Sequence, residues 1–171
     1  MLPGHRPRIF LKNMLGMSSI VPPRLMAASF RTCWNGWMTS RRFQTTGFCM
    51  FSCGGQDAIE HYAICPNFHA LCRKHLRLPC PAHGKKLPIF LALEHNTQDF
   101  DASTMPPDMD AAVGSLSLRA LATYACYMTH NACRHGVAHG VEAEQAFGGF
   151  VQEGCKAQSK LLGYLTHVRL H

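Results

Sequence analysis

The spacing C-x3-C-x7-H-x3-C, between residues 49 and 65, constrains the fold more than any other feature of the sequence. Its members are Cys49, Cys53, His61 and Cys65. Three thiols and one imidazole, with no carboxylate among them, suit a tetrahedral Zn²⁺ ion and leave no coordination position open for water. The spacing therefore predicts one closed, structural zinc site that nucleates a small module. The alternative left open is that these cysteines fill core positions, as free cysteine often does.

The residues between the ligands supply the turns that such a site needs. Gly54 and Gly55 follow the first pair of cysteines, where the chain must bend sharply and glycine tolerates a positive φ. Asp57 and Glu60 have the spacing of a capping box, which predicts a helix that starts just before the histidine. On that helix the last two ligands would lie one turn apart on one face, so both side chains would converge on one ion.

A second group of cysteines and histidines follows, with the spacing C-x2-H-x4-C-x2-H: Cys72, His75, Cys80 and His83. This spacing lacks the separation between ligand pairs that is typical of zinc fingers. The same stretch predicts a helix from Pro66 to about Leu78. That helix would place Phe68, Leu71, Cys72 and Leu76 inward and Arg73, Lys74 and Arg77 outward. Packing is therefore the favoured role of Cys72, and a second metal site stays an open alternative.

The chain contains nine cysteines, an odd number, which argues against a framework of fully paired disulfides. The sequence also lacks the apolar core and small-residue cleavage site of a secretory signal peptide. Both observations favour a reducing, intracellular compartment. The longest apolar candidate, residues 87–93, is far shorter than the roughly eighteen residues of a membrane span. We therefore expect a soluble or peripheral protein without a membrane partner.

Net positive charge is confined to one part of the chain. Residues 1–56 contain seven Lys or Arg and no Asp or Glu, whereas residues 57–171 contain ten of each, so the first segment carries the whole net charge of +7. This asymmetry favours a polyanion as partner, most simply RNA or DNA bound with weak sequence preference. An organelle transit peptide and a basic surface without a specific role stay open as alternatives. The candidate nucleic-acid contacts are Arg31, Arg41, Arg42, Arg73 and Lys74.

Prolines, glycines and apolar residues divide the chain into four parts. We expect a basic segment with a Trp-bearing helix at 1–43, the zinc-knuckle module at 44–80, a polar linker at 81–110, and a helical region at 111–171. In the first part, an apolar stripe at helical spacing consists of Met26, Phe30, Cys33, Trp34, Trp37 and Met38. The stripe predicts one helix with a large apolar face that packs against another part of the protein, with a base-stacking platform as the alternative left open.

Two long helices are predicted in the last part. The first covers about residues 111–135, is capped by Asp110, and ends before Gly136. Its expected inner face consists of Val113, Leu116, Ala120, Leu121, Tyr124, Tyr127 and Met128. The second covers about residues 141–170 and is weakened by three internal glycines. The histidines of this part, expected at the surface, are His130, His135 and His139.

The fold class that these patterns predict is mainly α. A small irregular zinc-stapled module of CCHC type is flanked by amphipathic helices, and no extensive sheet is expected.

The stretch from residue 34 to residue 66 resembles a known family. It combines W-N-G-W-M-T-S-R-R-F at 34–43, the C-x3-C pair, D-x2-E-H-Y at 57–62, and Cys65-Pro66. This arrangement resembles the segment downstream of the polymerase domain in non-LTR retrotransposon reverse transcriptases, and is most similar to the dinoflagellate versions. The similarity extends to the long helix with Tyr124, Tyr127, Asn131, Arg134, His135 and Gly136. The resemblance thus covers about residues 24–140.

The resemblance implies a zinc knuckle that helps to hold the element's RNA or DNA during target-primed reverse transcription. It implies that the Zn²⁺ ligands are Cys49, Cys53, His61 and Cys65. It also implies an upstream reverse transcriptase domain as a partner and a nuclear location. One difference is that three residues separate the last His and Cys here, where many family members have four.

Three function classes stay open. The favoured class is a zinc-binding, nucleic-acid-binding tail without catalytic activity, because the chain lacks the Asp-Asp pair of a two-metal polymerase site. An enzyme would need an open metal site or an activated nucleophile; the zinc-deaminase signature is missing, and no cysteine is singled out as the nucleophile of a thiol hydrolase. The third class is a zinc-stapled helical module for protein interaction, or a decayed fragment without activity.

Overall fold

The computed structural model of the protein describes Leu15, Ser18 and residues 21–78, 109–134 and 141–168, with side chains for all of these except 109–116 and 162–168. The main elements in these ranges are helices. Strand pairing within them is limited to an isolated antiparallel bridge between Phe48 and Gln56. For the described residues, the predicted fold class, mainly α with a small Cys/His module and no extensive sheet, is confirmed.

Five α-helices and one short 3-10 helix follow each other in the described residues. They are α1 (Pro23–Cys33), the 3-10 helix (Arg41–Phe43), α2 (Ile59–Tyr62), α3 (Pro66–Leu76), α4 (Met109–Arg134) and α5 (Val141–Val168). Helix α4 packs along α5 and also against α1, while α3 contacts both α4 and α5. Within the described part of the chain, no helix combines the length and the apolarity that crossing a membrane requires.

Helix α1 ends earlier than the apolar stripe predicts. Proline at its first position supplies a helical φ and needs no hydrogen-bond acceptor. The helix stops at Cys33 because Asn35 adopts a φ of 54°, a left-handed conformation that reverses the chain. The prediction of one helical face through Met38 is therefore wrong. Trp37 lies beyond the helix and is buried, whereas Trp34 is partly exposed.

A cluster of phenyl rings joins the Cys/His module to the long helices. Phe51, from the loop between the first two cysteines, stacks on Phe68 of α3 with ring centroids 5.9 Å apart. Phe147 of α5 meets both rings edge-on, at 6.0 and 5.8 Å. All three side chains are fully buried. Since each aromatic pair contributes beyond its buried area, this cluster fixes the module against α5.

The predicted long helix exists with slightly different ends. Helix α4 begins at Met109, so Asp110 lies in its first turn and is not the cap, and it ends at Arg134. Of the predicted inner face, Ala120, Leu121 and Tyr124 are buried, Tyr127 and Met128 are partly buried, and the side chains of Val113 and Leu116 lie outside the described residues. Residues 81–108 of the predicted linker also lie outside the described residues.

The histidines of this region differ from the prediction. His130 is 4% exposed and belongs to the core, so its expected surface position is wrong; the reason is its contact with the Cys/His module, described below. His135 and His139 lie outside the described residues.

The glycines of α5 do not interrupt the helix, which continues through Gly148, Gly149 and Gly154. A Cβ atom on Gly154 would overlap the Cδ1 methyl group of Leu121 on α4. A Cβ atom on Gly149 would meet no atom within 4 Å. Gly154 therefore permits the close approach of α4 and α5, whereas Gly149 has no such role.

These two glycines give a matched pair of substitutions. We expect Gly149→Ala to raise the free energy of unfolding by about 0.5–1 kcal/mol, because alanine loses less backbone entropy in a helix. Gly154→Ala should be less stable than Gly149→Ala by about 1–2 kcal/mol, since the new methyl group displaces Leu121. Urea unfolding followed by circular dichroism measures both. Equal stabilisation by the two substitutions would contradict the close helix contact.

Candidate metal centre

The structure brings the four predicted ligands together. Cys49 and Cys53 lie in the loop closed by the bridge between Phe48 and Gln56, His61 lies on α2, and Cys65 directly precedes α3. Their ligand atoms all lie within 4.8 Å of one another. The Sγ atoms of Cys49 and Cys65 are 3.7 Å apart, and those of Cys53 and Cys65 are 3.5 Å apart. Such a Cys3His cluster could hold one metal ion.

Backbone turns position the two loop cysteines. The amide of Cys49 donates to the carbonyl oxygen of Gly55 at 2.8 Å, and that of Ser52 donates to the carbonyl of Cys49 at 3.0 Å. Ser52 and Gly54 both have positive φ, 55° and 81°, as the turn predicted at the glycines requires. Gly55 has a different role. A Cβ atom there would overlap the imidazole of His61, so its missing side chain leaves room for the ring.

The capping box predicted at residues 57–60 is wrong. The N-cap of α2 is Ala58, and no side chain caps the helix. Asp57 instead accepts hydrogen bonds from Ser40 and from the Tyr62 hydroxyl, and the Glu60 carboxylate pairs with Arg41 at 3.0 Å. The carboxylate of Asp57 therefore binds side chains and does not cap the N-terminus of α2.

The predicted helix that carries both late ligands is also shorter than expected. Helix α2 has four residues and ends at Tyr62, and Cys65 is the N-cap of α3. Two turn hydrogen bonds, from Ile64 to the carbonyl of His61 at 2.9 Å and from Cys65 to that of Tyr62 at 3.4 Å, keep the two ligands close. Their convergence comes from a turn between two helices and not from one continuous helix.

The side chain of Cys65 is held at the start of α3. It is fully buried, and its Sγ atom accepts a hydrogen bond from the amide of Phe68 at 3.5 Å. The sulfur lies at the N-terminus of α3, an eleven-residue helix whose dipole favours negative charge there.

The surroundings of Cys49 and His61 favour the neutral form of each side chain. The hydrogen bond with Cys65, together with burial, raises the pKa of the Cys49 thiol. Burial lowers the pKa of His61 and outweighs the opposing field of Asp57. The imidazole is therefore neutral at physiological pH, which is the form that binds metals. A metal ion bound here would stabilise the thiolate form of Cys49, because coordination deprotonates a thiol.

A hydrogen-bond network centred on Asp57 lies behind the cluster. Its carboxylate accepts from the amide and hydroxyl groups of Ser40, at 2.7 and 2.6 Å, and from the hydroxyl of Tyr62 at 2.7 Å. His130 of α4 donates from Nε2 at 3.2 Å. We call these four residues, Ser40, Asp57, Tyr62 and His130, the Asp57 network. It joins the chain before the cluster, α2 and α4.

Protonation of Asp57 is coupled to stability. Burial alone raises its pKa, but the hydrogen bonds from His130, Ser40 and Tyr62 outweigh burial and hold the pKa well below the ordinary value of 3.8. The network therefore contributes its full stability above the ordinary pKa and loses it as the pH falls through the lower, folded-state value.

The five cations predicted to contact nucleic acid lie in two kinds of surroundings. Arg31 donates to the Tyr127 hydroxyl at 2.8 Å, Arg41 pairs with Glu60, and Arg42 donates to the carbonyl of Asn35 at 2.9 Å. The side chains of Arg73 and Lys74 are exposed on the outer face of α3, as predicted. All five residues are exposed, and the two of α3 differ from the others in lying side by side on one helix.

The second Cys/His group is divided by the fold. Cys72 is buried in the core, as its position on α3 predicts, while His75 is exposed with its ring 6.0 Å from that of Phe147. Cys80 and His83 lie outside the described residues. Within residues 21–78, 117–134 and 141–161, the cluster at 49–65 is the one group of three or more His, Cys, Asp or Glu side chains that could hold a metal ion.

A scan against protein-family models finds no match, and searches of curated proteins and of solved structures find no similar chain.

The Asp57 network gives a quantitative test. In a double-mutant cycle of Asp57→Ala and His130→Ala, we expect a coupling free energy of about 1–3 kcal/mol, because both side chains are largely buried. The control cycle uses Arg41 and Glu60, which are 56% and 43% exposed. It should give at most about 1 kcal/mol, since water screens that pair. Denaturant unfolding measures both cycles, and equal values would contradict the role assigned to the network.

Proposed function

We propose that this chain is a non-catalytic zinc-binding module that binds single-stranded nucleic acid through phosphate contacts. The observation that carries the proposal is the convergence of three thiols and one imidazole within 4.8 Å. Soft sulfur and imidazole ligands select Zn²⁺ over harder ions. Four protein ligands close the coordination shell, so the ion supplies folding energy and no reactive water.

The distances in the cluster fit a tetrahedral zinc ion. A Zn–S bond of about 2.3 Å gives an S···S edge of about 3.8 Å, close to the two observed distances of 3.5 and 3.7 Å. The Sγ atom of Cys53 and the Nε2 atom of His61 are 2.9 Å apart, whereas the expected S···N edge is about 3.5 Å. Binding therefore requires a small outward shift of this pair, the two ligands that are partly exposed.

Charge supports the nucleic-acid part of the proposal. Residues 21–78 contain seven Lys or Arg and two acidic residues, which leaves a net charge of +5. Both acids have protein partners, because Asp57 is the centre of its network and Glu60 pairs with Arg41. Helix α3 begins directly after the ligand Cys65, and three exposed cations lie at its C-terminal end: Arg73, Lys74 and the C-cap residue Arg77. Zinc therefore fixes the start of the helix that presents these cations.

The resemblance described above extends this proposal. We assign the chain to the post-polymerase tail of a non-LTR retrotransposon reverse transcriptase, where it would hold RNA or DNA beside an upstream polymerase domain in the nucleus. The absence of an Asp-Asp pair from the sequence supports a non-catalytic role.

A second candidate is a zinc-stapled helical module for protein interaction. Phe30 and Trp34 stack with ring centroids 4.3 Å apart, and 45% and 38% of their surfaces are exposed. Large aromatic side chains at a surface are typical of protein interfaces. A gel shift at low salt separates the two candidates, because only the first requires nucleic-acid binding.

We expect one Zn²⁺ per purified chain. Cys49→Ser and His61→Ala should each abolish stoichiometric zinc, since zinc binding contributes on the order of 10 kcal/mol of folding free energy in small finger peptides. The control is Cys155→Ser, because Cys155 is an exposed cysteine on α5, outside the cluster. Elemental analysis and native mass spectrometry measure the metal. Full zinc in both cluster variants would refute the site, and two ions per chain would support the second Cys/His group.

We expect the affinity for a single-stranded oligonucleotide to fall steeply with salt, by about 0.7 log units per phosphate contact for each log unit of salt. Replacing both Arg73 and Lys74 with Ala should reduce this slope by about one to two units. Replacing both Arg41 and Arg42 should reduce it less, because each already has a protein partner.

The control for this titration is Arg24→Ala, because Arg24 pairs with Glu153 of α5. It should leave the slope unchanged. Fluorescence anisotropy at several salt concentrations gives all the slopes. An unchanged slope after the α3 substitutions would place the contacts elsewhere, and no binding at low salt would favour the protein-interaction candidate.

A further inference from the structure

A cleft of about 310 Å³ lies between the Cys/His module and the end of α4. The Asp57 network lines it, together with Phe43, Phe48, Met50 and Arg134. The Asp57 network thus contributes its inner polar part. Its outer part is apolar and aromatic, with Phe48 81% exposed and Phe43 49% exposed. Exposed phenyl rings beside a cleft suit a flat, unsaturated ligand.

In the polar part of the cleft the Asp57 carboxylate is satisfied, whereas Nδ1 of His130 is buried without a hydrogen-bond partner. The Asp57 carboxylate accepts hydrogen bonds from the amide and hydroxyl of Ser40, from Tyr62 and from His130. A carboxylate with four donors has little capacity left for a cationic ligand. The cleft therefore does not select an ammonium or guanidinium group.

The rim of the cleft carries positive charge. The guanidinium of Arg134 lies 5.6 Å from the ring centroid of Phe43, in cation–π contact. Arg42, the neighbour of Phe43 in sequence, is also exposed. A cation beside an aromatic surface favours a ligand that joins a planar ring to an anionic group.

We propose that this cleft binds one unpaired nucleobase of a single-stranded nucleic acid, with the base against Phe48 and Phe43 and a neighbouring phosphate on Arg134. This inference deepens the proposed function and rests on it. Aromatic stacking is how proteins bind single strands without reading their sequence. A volume near 310 Å³ accommodates one nucleotide and not a stacked run.

The metal cluster organises this cleft. Phe48 and Met50 flank the ligand Cys49 in sequence, and both line the cleft. Coordination of Cys49 therefore fixes the wall that carries Phe48. Because of this link, metal binding and base binding occur in the same module.

The test compares two oligomers of equal length, a ten-nucleotide oligothymidylate and a ten-unit abasic tetrahydrofuran phosphate. Both carry the same phosphates, and only the first carries bases. We expect the zinc-loaded chain to bind the first roughly 5- to 100-fold more tightly at one salt concentration, the range expected for one stacked base. Phe48→Ala should remove most of this ratio and leave the affinity for the abasic oligomer unchanged.

The matched control is Ile64→Ala. Ile64 is 68% exposed in the same module and does not line the cleft, so its replacement should preserve the ratio. The zinc content of each variant shows that the module is folded. An equal affinity of the wild-type chain for both oligomers, or an unchanged ratio in Phe48→Ala, overturns the cleft and leaves the proposed phosphate binding in place.

A second readout locates the base. The ring of Trp37 lies 5.4 Å from that of His130 and 5.7 Å from that of Tyr62, both of which line the cleft. In a Trp34→Phe chain, thymidine monophosphate should therefore change the emission of Trp37. No binding of either oligomer overturns the proposed function and the base site together, whereas equal binding of both overturns the base site alone. No change at millimolar nucleotide, together with equal oligomer affinities, overturns the base site.

Discussion

The carboxylate of Asp57 is the interaction on which the arrangement of the rest of the structure depends. It accepts hydrogen bonds from Ser40, Tyr62 and His130, which belong to three separate stretches of the chain. A buried carboxylate without hydrogen-bond donors costs much free energy. Separating the three stretches would remove donors from Asp57, so the carboxylate holds them together. The result is a fixed relation between the cysteine loop and α4. The buried ring of Trp37 packs against Tyr62 and His130, two members of this network.

The Cys/His cluster and this network lie on opposite sides of one short segment. His61 points to the cysteines, while its neighbour Tyr62 donates to Asp57. Helix α2 has four residues, too few to be stable alone, and is therefore held by its two ends and its side chains. Cys65 then starts α3, whose inner face reaches the phenyl cluster with Phe147. Zinc in the proposed site would connect these contacts into one unit.

The parts of the structure that depend on nearby residues could be predicted from the sequence. Four ligands within seventeen residues, separated by glycines and turns, leave few ways to arrange them, and Pro66 marks the start of α3. The partnership of Asp57 with His130 could not be predicted, because they are 73 positions apart in the sequence and their spacing carries no pattern. The end of α1 differs from the prediction for another reason. Asn35-Gly36 is a recognised helix-stop signal, but the apolar stripe continued across it.

The position of Phe51 between the first two cysteines has a consequence for the life of the protein in a cell. This loop is anchored at its ends by the cluster and at its centre by the ring contacts with α3 and α5. Under the zinc assignment, loss of the ion would therefore release a core side chain as well as a loop. Metal supply would then set the fraction of chains with exposed apolar surface, and so the rate at which proteases and chaperones remove them.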